Sequence, residues 1–350
     1  MGTLELQLES EQIKQQWASP VLFFETMHAY QRSAALKTAI ELELFTAIGE
    51  TSGGVGPLTE RIGCPERGLR ALCDFLVVIG FLNKYIDESG EYYSLTLDSA
   101  AFLHKKSPRY IGMAISFMAA PFLVDGFKDL TRVIREGGPP PDGHSVNQEL
   151  PLWVDFARSM APLMFSTAEQ AAKLLSGNSE AKILDIAAGH GLFGIAVARA
   201  NPKAKIVALD FPSVLTVARE NVEHFGVADR VSYLEGDALV IPFGTGFDGV
   251  LVPNLLHHWD RQTNVDFLRK VHAALKPGGR VVVVEFAPND DRVSPPIPAS
   301  FVMNMLVSTP GGNAYTLSEN LAMLEEAGFS SREGVKLLPT PETAIVGLKK

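Results

Sequence analysis

Beyond residue 181 the sequence alternates short apolar runs with longer amphipathic stretches. The apolar runs are 183–186, 206–209, 231–234, 250–252 and 281–284, with 342–348 a candidate last strand. Helical stretches such as 214–225 and 265–275 lie between them. Strands without a polar side, separated by helices, belong to a parallel sheet covered on both faces. Their connections are expected to be right-handed crossovers. The predicted fold class is therefore α/β, a doubly wound sheet over 181–350.

The first strand ends in a glycine turn, Leu184-Asp185-Ile186-Ala187-Ala188-Gly189-His190-Gly191-Leu192-Phe193-Gly194. Gly189, Gly191 and Gly194 match the dinucleotide pattern of a Rossmann-like domain, and Asp210 follows at the end of the next strand, placed for ribose hydroxyls. By itself the match fits two ligand classes. A nicotinamide dinucleotide places a pyrophosphate on the helix N-terminus. Asp185 stands close to that turn, where a second negative charge is unfavourable. A ligand with an ammonium and a sulfonium group, such as S-adenosyl-L-methionine, is instead attracted by acids there. Gly236-Asp237 adds a third carboxylate at the next strand end. Acids at three consecutive strand ends favour the cationic ligand, and an NAD-dependent oxidoreductase is the alternative.

The N-terminal part reads differently. Leu36, Ile40, Leu44 and Ile48 recur at helical spacing, and Gly53-Gly54 interrupts them. A helix around 58–62, a turn at Gly63-Cys64-Pro65 and a long apolar helix over 66–79 follow. Strands at 81–86 and 92–97 then flank the turn 87–90. Helix, turn, helix and hairpin is a winged-helix order. Residues 1–105 hold 8 Lys and Arg against 14 Asp and Glu, and the whole chain carries a net charge of −9. Nucleic-acid backbones need the opposite balance. The apolar second helix calls for protein neighbours, so 1–105 is expected to serve dimerisation. Residues 106–180 form a helical bridge with a loop at 137–143.

Other features bound the setting. Cys64 and Cys73 lack disulfide-framework and metal spacing, which suits a reduced, cytoplasmic chain. The first 20 residues carry Glu5, Glu9, Glu11 and Lys14 without an apolar core, unlike a secretory signal. The longest uncharged apolar run, 111–124, is too short for a bilayer and contains Gly112 and Pro121. No membrane or nucleic-acid partner is expected.

A candidate catalytic pair lies at the next strand ends. The fourth strand leads into Leu255-Leu256-His257-His258-Trp259-Asp260, and the fifth ends at Glu285. Methyl transfer to a neutral hydroxyl needs a base, and histidine suits that task near neutral pH. A carboxylate on the other ring nitrogen fixes the tautomer, a role for Glu285. His258, one step on, is expected to point elsewhere. No further ligand completes a metal set around the two histidines, so no metal is expected.

Taken in order, these motifs resemble the plant-type small-molecule O-methyltransferases and their bacterial relatives. The resemblance spans residues 20 to 348. It rests on Tyr92-Tyr93-Ser94-Leu95-Thr96, the turn from Asp185 to Gly191, Asp210-Phe211-Pro212-Ser213-Val214 and Gly236-Asp237. It continues through His257-His258-Trp259, Lys276-Pro277-Gly278-Gly279, Glu285 and Thr309-Pro310-Gly311-Gly312. It implies a homodimer built by the N-terminal domain, S-adenosyl-L-methionine as cofactor and no metal. His257 is then the base and Glu285 its support. Cofactor contacts fall on Asp185, Gly189, Gly191, Asp210, Phe211, Gly236, Asp237, Ala238 and Asn254. An apolar, aromatic methyl acceptor is expected against Met160, Met164 and Met303, with Asn304 and Asn313 as polar contacts. Phe156 and Phe165 belong to the same Met- and Phe-rich segments.

Two positions depart from the family. Ala314 stands where a second acid usually supports the histidine, and Pro253 replaces a lysine four residues before it. Asn313 and Tyr315 are candidate substitutes as hydrogen-bonding groups. Methylation at carbon or nitrogen, and a binding module without catalysis, stay open as alternatives.

Overall fold

The computed structural model describes residues 18–50, 54–88, 90–139, 150–175 and 179–350. The N-terminal segment read as lacking a secretory signal lies mostly outside them, as does most of the loop at 137–143. The chain forms two compact units, Met1–Gly112 and Met113–Lys350.

The first unit contains α1 (Val21–Met27), α2 (Ala29–Glu41), α3 (Leu44–Glu50), α4 (Val55–Ile62) and α5 (Glu66–Val78). A hairpin of β1 (Leu82–Asp87) and β2 (Gly90–Leu95) follows, then α6 (Leu97–Phe102). Leu44, Phe45, Leu58, Leu69, Cys73 and Leu76 form its buried centre. The helical spacing from Leu36 to Ile48 spans two helices, because Glu43 takes a left-handed backbone with φ of 51°. Leu82 pairs with Leu95 in the hairpin. The second strand ends before the expected 97 because the Thr96 side chain accepts from Ser99 N–H and starts α6. Both cysteines are free thiols.

The second unit opens with short helices α7 (Ile115–Met118), α8 (Pro121–Lys128) and α9 (Leu130–Glu136), then the long α10 (Pro151–Ala172). The alternating region follows as β3 (Ala181–Ile186), α11 (Leu192–Ala200), β4 (Ala204–Asp210), α12 (Pro212–His224), β5 (Val231–Glu235) and β6 (Phe247–Pro253). It continues with α13 (Arg261–Ala274), β7 (Leu275–Glu285), α14 (Pro296–Ser308), α15 (Leu317–Glu326), β8 (Ser331–Lys336) and β9 (Thr343–Leu348). The seven strands run β5-β4-β3-β6-β7-β9-β8. Strands β3 to β7 are parallel, whereas β9 pairs antiparallel with both β7 and β8. The sheet is thus mixed at one edge rather than parallel throughout.

Two-residue periodicity decides which helix each strand residue meets. Val281 and Val283 pack with Phe267 and Leu268 of α13 and Leu324 of α15. Val282 and Val284 pack on the opposite face with Ala168 and Ala171 of α10 and Phe193 of α11. Both faces are therefore covered, which is why the strands carry no polar side. Chain order reverses at β3, with β4 on one flank and β6 on the other. Open α/β sheets place ligands at such a switch point, beyond the strand C-termini. Among the described residues, no helix is long and apolar enough to cross a membrane.

Candidate active site

A cleft opens at that switch point. It encloses about 870 Å³, open solvent at its mouth included. The end of β3 contributes Ala187, Ala188, Gly189 and His190; β4 contributes Leu209, Asp210 and Phe211. Gly236, Asp237 and Ala238 follow β5, while Pro253, Asn254, Leu255, His258 and Trp259 come from β6 and the turn after it. Helix α10 adds Trp153, Phe156 and Met164. Among the described residues, no lysine or arginine lines the cleft.

Asp210 is tied down by the backbone it faces. Its Oδ2 accepts from Gly189 N–H at 2.8 Å and its Oδ1 from Phe211 N–H at 2.7 Å. Asp237 Oδ1 accepts from Leu239 N–H at 2.8 Å. Asn254 sits in a left-handed backbone with φ of 51°. Its Nδ2 donates to Met164 Sδ at 3.4 Å, leaving Oδ1 buried without a protein partner. An orphaned buried acceptor at a strained position on a cleft wall is a place for a ligand donor.

Asp185 is different from the expectation. It is fully buried, does not line the cleft, and accepts from Gly194 N–H through Oδ2 at 2.8 Å. It braces the turn from behind, and Gly194 is needed there: a Cβ would stand 2.7 Å from Ile206 Cγ2 and 2.9 Å from Asp185 Oδ2. Burial raises the Asp185 carboxyl from 3.8 to about 7, helped by the charge on Asp210 and opposed by Gly194 N–H. Because the folded value exceeds the unfolded one, the group favours folding most below about pH 4, and that advantage fades as pH rises to about 7. Asp185→Asn keeps an acceptor for Gly194 and cannot ionise. Melting of the cofactor-free variant should gain on the parent between about pH 5 and about pH 8; a constant difference across that range would contradict this. Gly191 likewise stays off the cleft wall, buried at the N-cap of α11.

The sequence reading missed two histidines. His190 lines the cleft, receives Leu192 N–H on Nδ1 at 3.2 Å, and is lowered to about 4 by burial. His258 also lines the cleft, contrary to the expectation that it points elsewhere. The turn after β6 is a 3-10 turn spanning Leu256–His258, not a strand, so successive side chains do not take opposite faces. The two imidazole centroids lie 4.3 Å apart. Burial and the neighbouring His257 push His258 well below its ordinary value. The cleft therefore holds carboxylates and neutral imidazoles with no cationic side chain, an environment for a cationic ligand and a poor one for a pyrophosphate.

His257 is buried beside this cleft. Its Nδ1 lies 2.6 Å from Glu285 Oε2, and the edge-on Phe301 ring is centred 4.9 Å away. Glu285 Oε1 accepts from the N–H groups of Leu255 and Leu256 at 3.0 and 2.7 Å, and more loosely from His257 N–H at 3.4 Å. One carboxylate thus holds both the turn and the ring. With Glu285 accepting, the proton belongs on Nδ1 and the Nε2 lone pair is free, the tautomer a base requires.

Met164 is brought to the cleft, but Met160, Met303, Asn304 and Asn313 do not line it. Met160 is half-buried on α10, Met303 half-buried on α14, and Asn304 exposed. Asn313 N–H donates to the His257 carbonyl at 2.9 Å. Phe156, from the expected Met- and Phe-rich segments, does line the cleft, as does Trp153, which was not singled out. Among the described residues, no three His, Cys, Asp or Glu side chains gather as a metal site.

Comparison with known proteins agrees with this geometry. Residues 153–330 match the O-methyltransferase domain, and residues 24–105 the O-methyltransferase dimerisation domain. A structure from Nostoc punctiforme assigned as an O-methyltransferase is 45% identical, with a TM-score of 0.90 over 95% of this chain and all of that one. The 3-hydroxy-5-methyl-1-naphthoate 3-O-methyltransferase of Streptomyces sahachiroi is 27% identical, covering 94% of this chain and 95% of its own. PigF, a methyltransferase of Serratia sp. solved with S-adenosylhomocysteine, is 25% identical with a TM-score of 0.81 over 95% of this chain and 100% of that one. The chain belongs to the S-adenosyl-L-methionine-dependent O-methyltransferase family, so its cofactor is S-adenosyl-L-methionine rather than a dinucleotide.

Proposed function

We propose that this chain methylates a hydroxyl oxygen on a flat aromatic small molecule, with His257 as the base. The observation that carries the reading is the Glu285-held imidazole, its Nε2 free, beside a cleft that carries Asp210 and Asp237. When bound, the cofactor supplies an electrophilic methyl group on a sulfonium sulfur. Asp210 would hold its ribose hydroxyls and Asp237 its adenosine end, and Asn254 Oδ1 would accept from its ammonium. Gly189, Gly236, Ala238 and Phe211 wall the same space. His257 Nε2 takes the proton as the acceptor oxygen attacks, and Glu285 stabilises the imidazolium that forms. Asp185 contributes by bracing the turn.

An aromatic acceptor suits the Met- and Phe-rich segments 106–180 and 296–308, with Met160, Met303, Asn304 and Asn313 retained as proposed contacts. The naphthoate methyltransferase relative, named for a hydroxylated aromatic acid, supports the same class. We assign dimerisation to residues 1–105, acceptor binding to the bridge 106–180, and the cofactor to 181–350. Val21, Leu22, Phe23, Phe24 and Met27 are exposed on α1, an apolar face suited to a second copy. Two unpaired cysteines favour a cytoplasmic setting.

S-adenosylhomocysteine should raise the melting temperature, by the equivalent of about 2.7 kcal/mol at a hundredfold excess over its dissociation constant, and NAD should leave it unchanged. A panel of phenols, quinones and flavonoids with methyl-labelled cofactor should then yield an O-methyl product. Stabilisation by NAD alone would overturn the cofactor assignment, and label confined to carbon or nitrogen would overturn the acceptor atom.

A further inference from the structure

The carbonyl side of the His257 turn is held as firmly as its N–H side. Asn264 Nδ2 donates to Leu256 O at 2.8 Å and to Trp259 O at 3.2 Å. Asn313 N–H donates to His257 O at 2.9 Å. Tyr315 Oη donates to Trp259 O at 2.8 Å. The segment 309–316 lies directly on the turn: a Cβ on Gly312 would stand 2.3 Å from His257 O. Ala314, next to Tyr315, is buried and offers only a methyl group.

We propose that Tyr315 is a positioning residue that fixes His257 through the backbone of its turn, replacing the side-chain support that Ala314 does not give. This inference rests on His257 being the base. Tyr315 suits the task. Its ring packs in the same core as Trp259, Phe267 and Leu324, so the hydroxyl has little freedom. Burial, with the charges of Asp260 and Glu319, raises the phenol to about 12, so it stays a donor across the working range. The turn carries three consecutive backbone groups bonded to Glu285 on one side and three carbonyls bonded to Asn264, Asn313 and Tyr315 on the other. A rotation that tilts the imidazole must break bonds on both sides. Tyr315 restrains the peptide that carries the ring.

Tyr315→Phe removes one hydroxyl and keeps the ring in the core. Trp259 O retains Asn264 Nδ2, so no buried acceptor is orphaned. The expected result is a kcat about tenfold lower, with S-adenosylhomocysteine affinity and the KM for the methyl donor within about twofold. In nitrogen-15-labelled histidine spectra, the Nδ1–H resonance of His257, assigned by its loss in His257→Gln, should shift or broaden in Tyr315→Phe. An unchanged kcat would overturn the inference. So would a fall in cofactor affinity matching the fall in kcat, since that marks general loosening of the cleft, or an unmoved Nδ1–H resonance. The underlying reading fails separately: full activity of His257→Ala removes the base, whereas an inactive His257→Ala with an unaffected Tyr315→Phe rejects the positioning role alone.

Discussion

His257→Ala should lower kcat by about 10²–10⁴-fold, the usual contribution of a positioned general base. Cofactor affinity should stay within about twofold, because the ring is not among the cleft-lining groups. The turn itself should persist: its N–H groups bond to Glu285 and its carbonyls to Asn264, Asn313 and Tyr315, none of which needs the imidazole. The substitution leaves a small void against Phe301 and Glu285 Oε2 without its ring partner, so some loss of stability is expected as well. Steady-state rates with the acceptor found by screening, alongside calorimetric titration of S-adenosylhomocysteine, separate the effects. An unchanged kcat would reject His257 as the base. Acceptors that ionise readily should suffer least from the substitution, since their oxygen needs less help in losing a proton.

How much of this was readable from residues alone depends on the range of the interaction behind each feature. Strands β3 to β7 were legible because runs such as 281–284 record burial on both faces in consecutive residues. The acids at three strand ends were legible as a local pattern, although Asp185 does not line the cleft. The edge strand β8 was not: Ser-Arg-Glu-Gly-Val-Lys is mostly exposed and carries no apolar period, and only pairing with β9 makes it a strand. The break at Glu43 left no mark either, since an apolar stripe crosses two short helices as readily as one long one. His258 was misplaced because strand alternation was extended into a 3-10 turn. Trp153 and Phe156 reach the cleft from α10, far from the glycine turn in sequence; Phe156 stood in the Met- and Phe-rich pattern, whereas nothing local marked Trp153. The hydrogen-bond pattern behind His257 joins residues 255–264 to 285 and to 309–316, so the sequence named its members without their partners. Tyr315 was a candidate support for the ring and instead bonds the backbone.

Glu285→Gln should reduce kcat by up to about 10⁴-fold while leaving the turn in place. The amide is nearly isosteric, and its carbonyl oxygen can take the position of Oε1, accepting from Leu255 and Leu256 N–H as the carboxylate does. Its NH₂ then falls where Oε2 met His257 Nδ1 at 2.6 Å. An NH₂ only donates, so Nδ1 must accept and the ring proton moves to Nε2. The imidazole keeps its place and loses the lone pair that takes the acceptor proton. The charge that stabilised the imidazolium disappears at the same time. Glu285→Ala provides the contrast, because it removes the acceptor from several buried N–H groups, at about 1–3 kcal/mol for each group left unpaired. It should therefore lower the melting temperature strongly, whereas the glutamine variant should melt close to the parent. Full activity in Glu285→Gln would mean that the tautomer is set elsewhere, and a melting temperature as low as that of Glu285→Ala would mean that the charge, not the acceptor geometry, holds the turn.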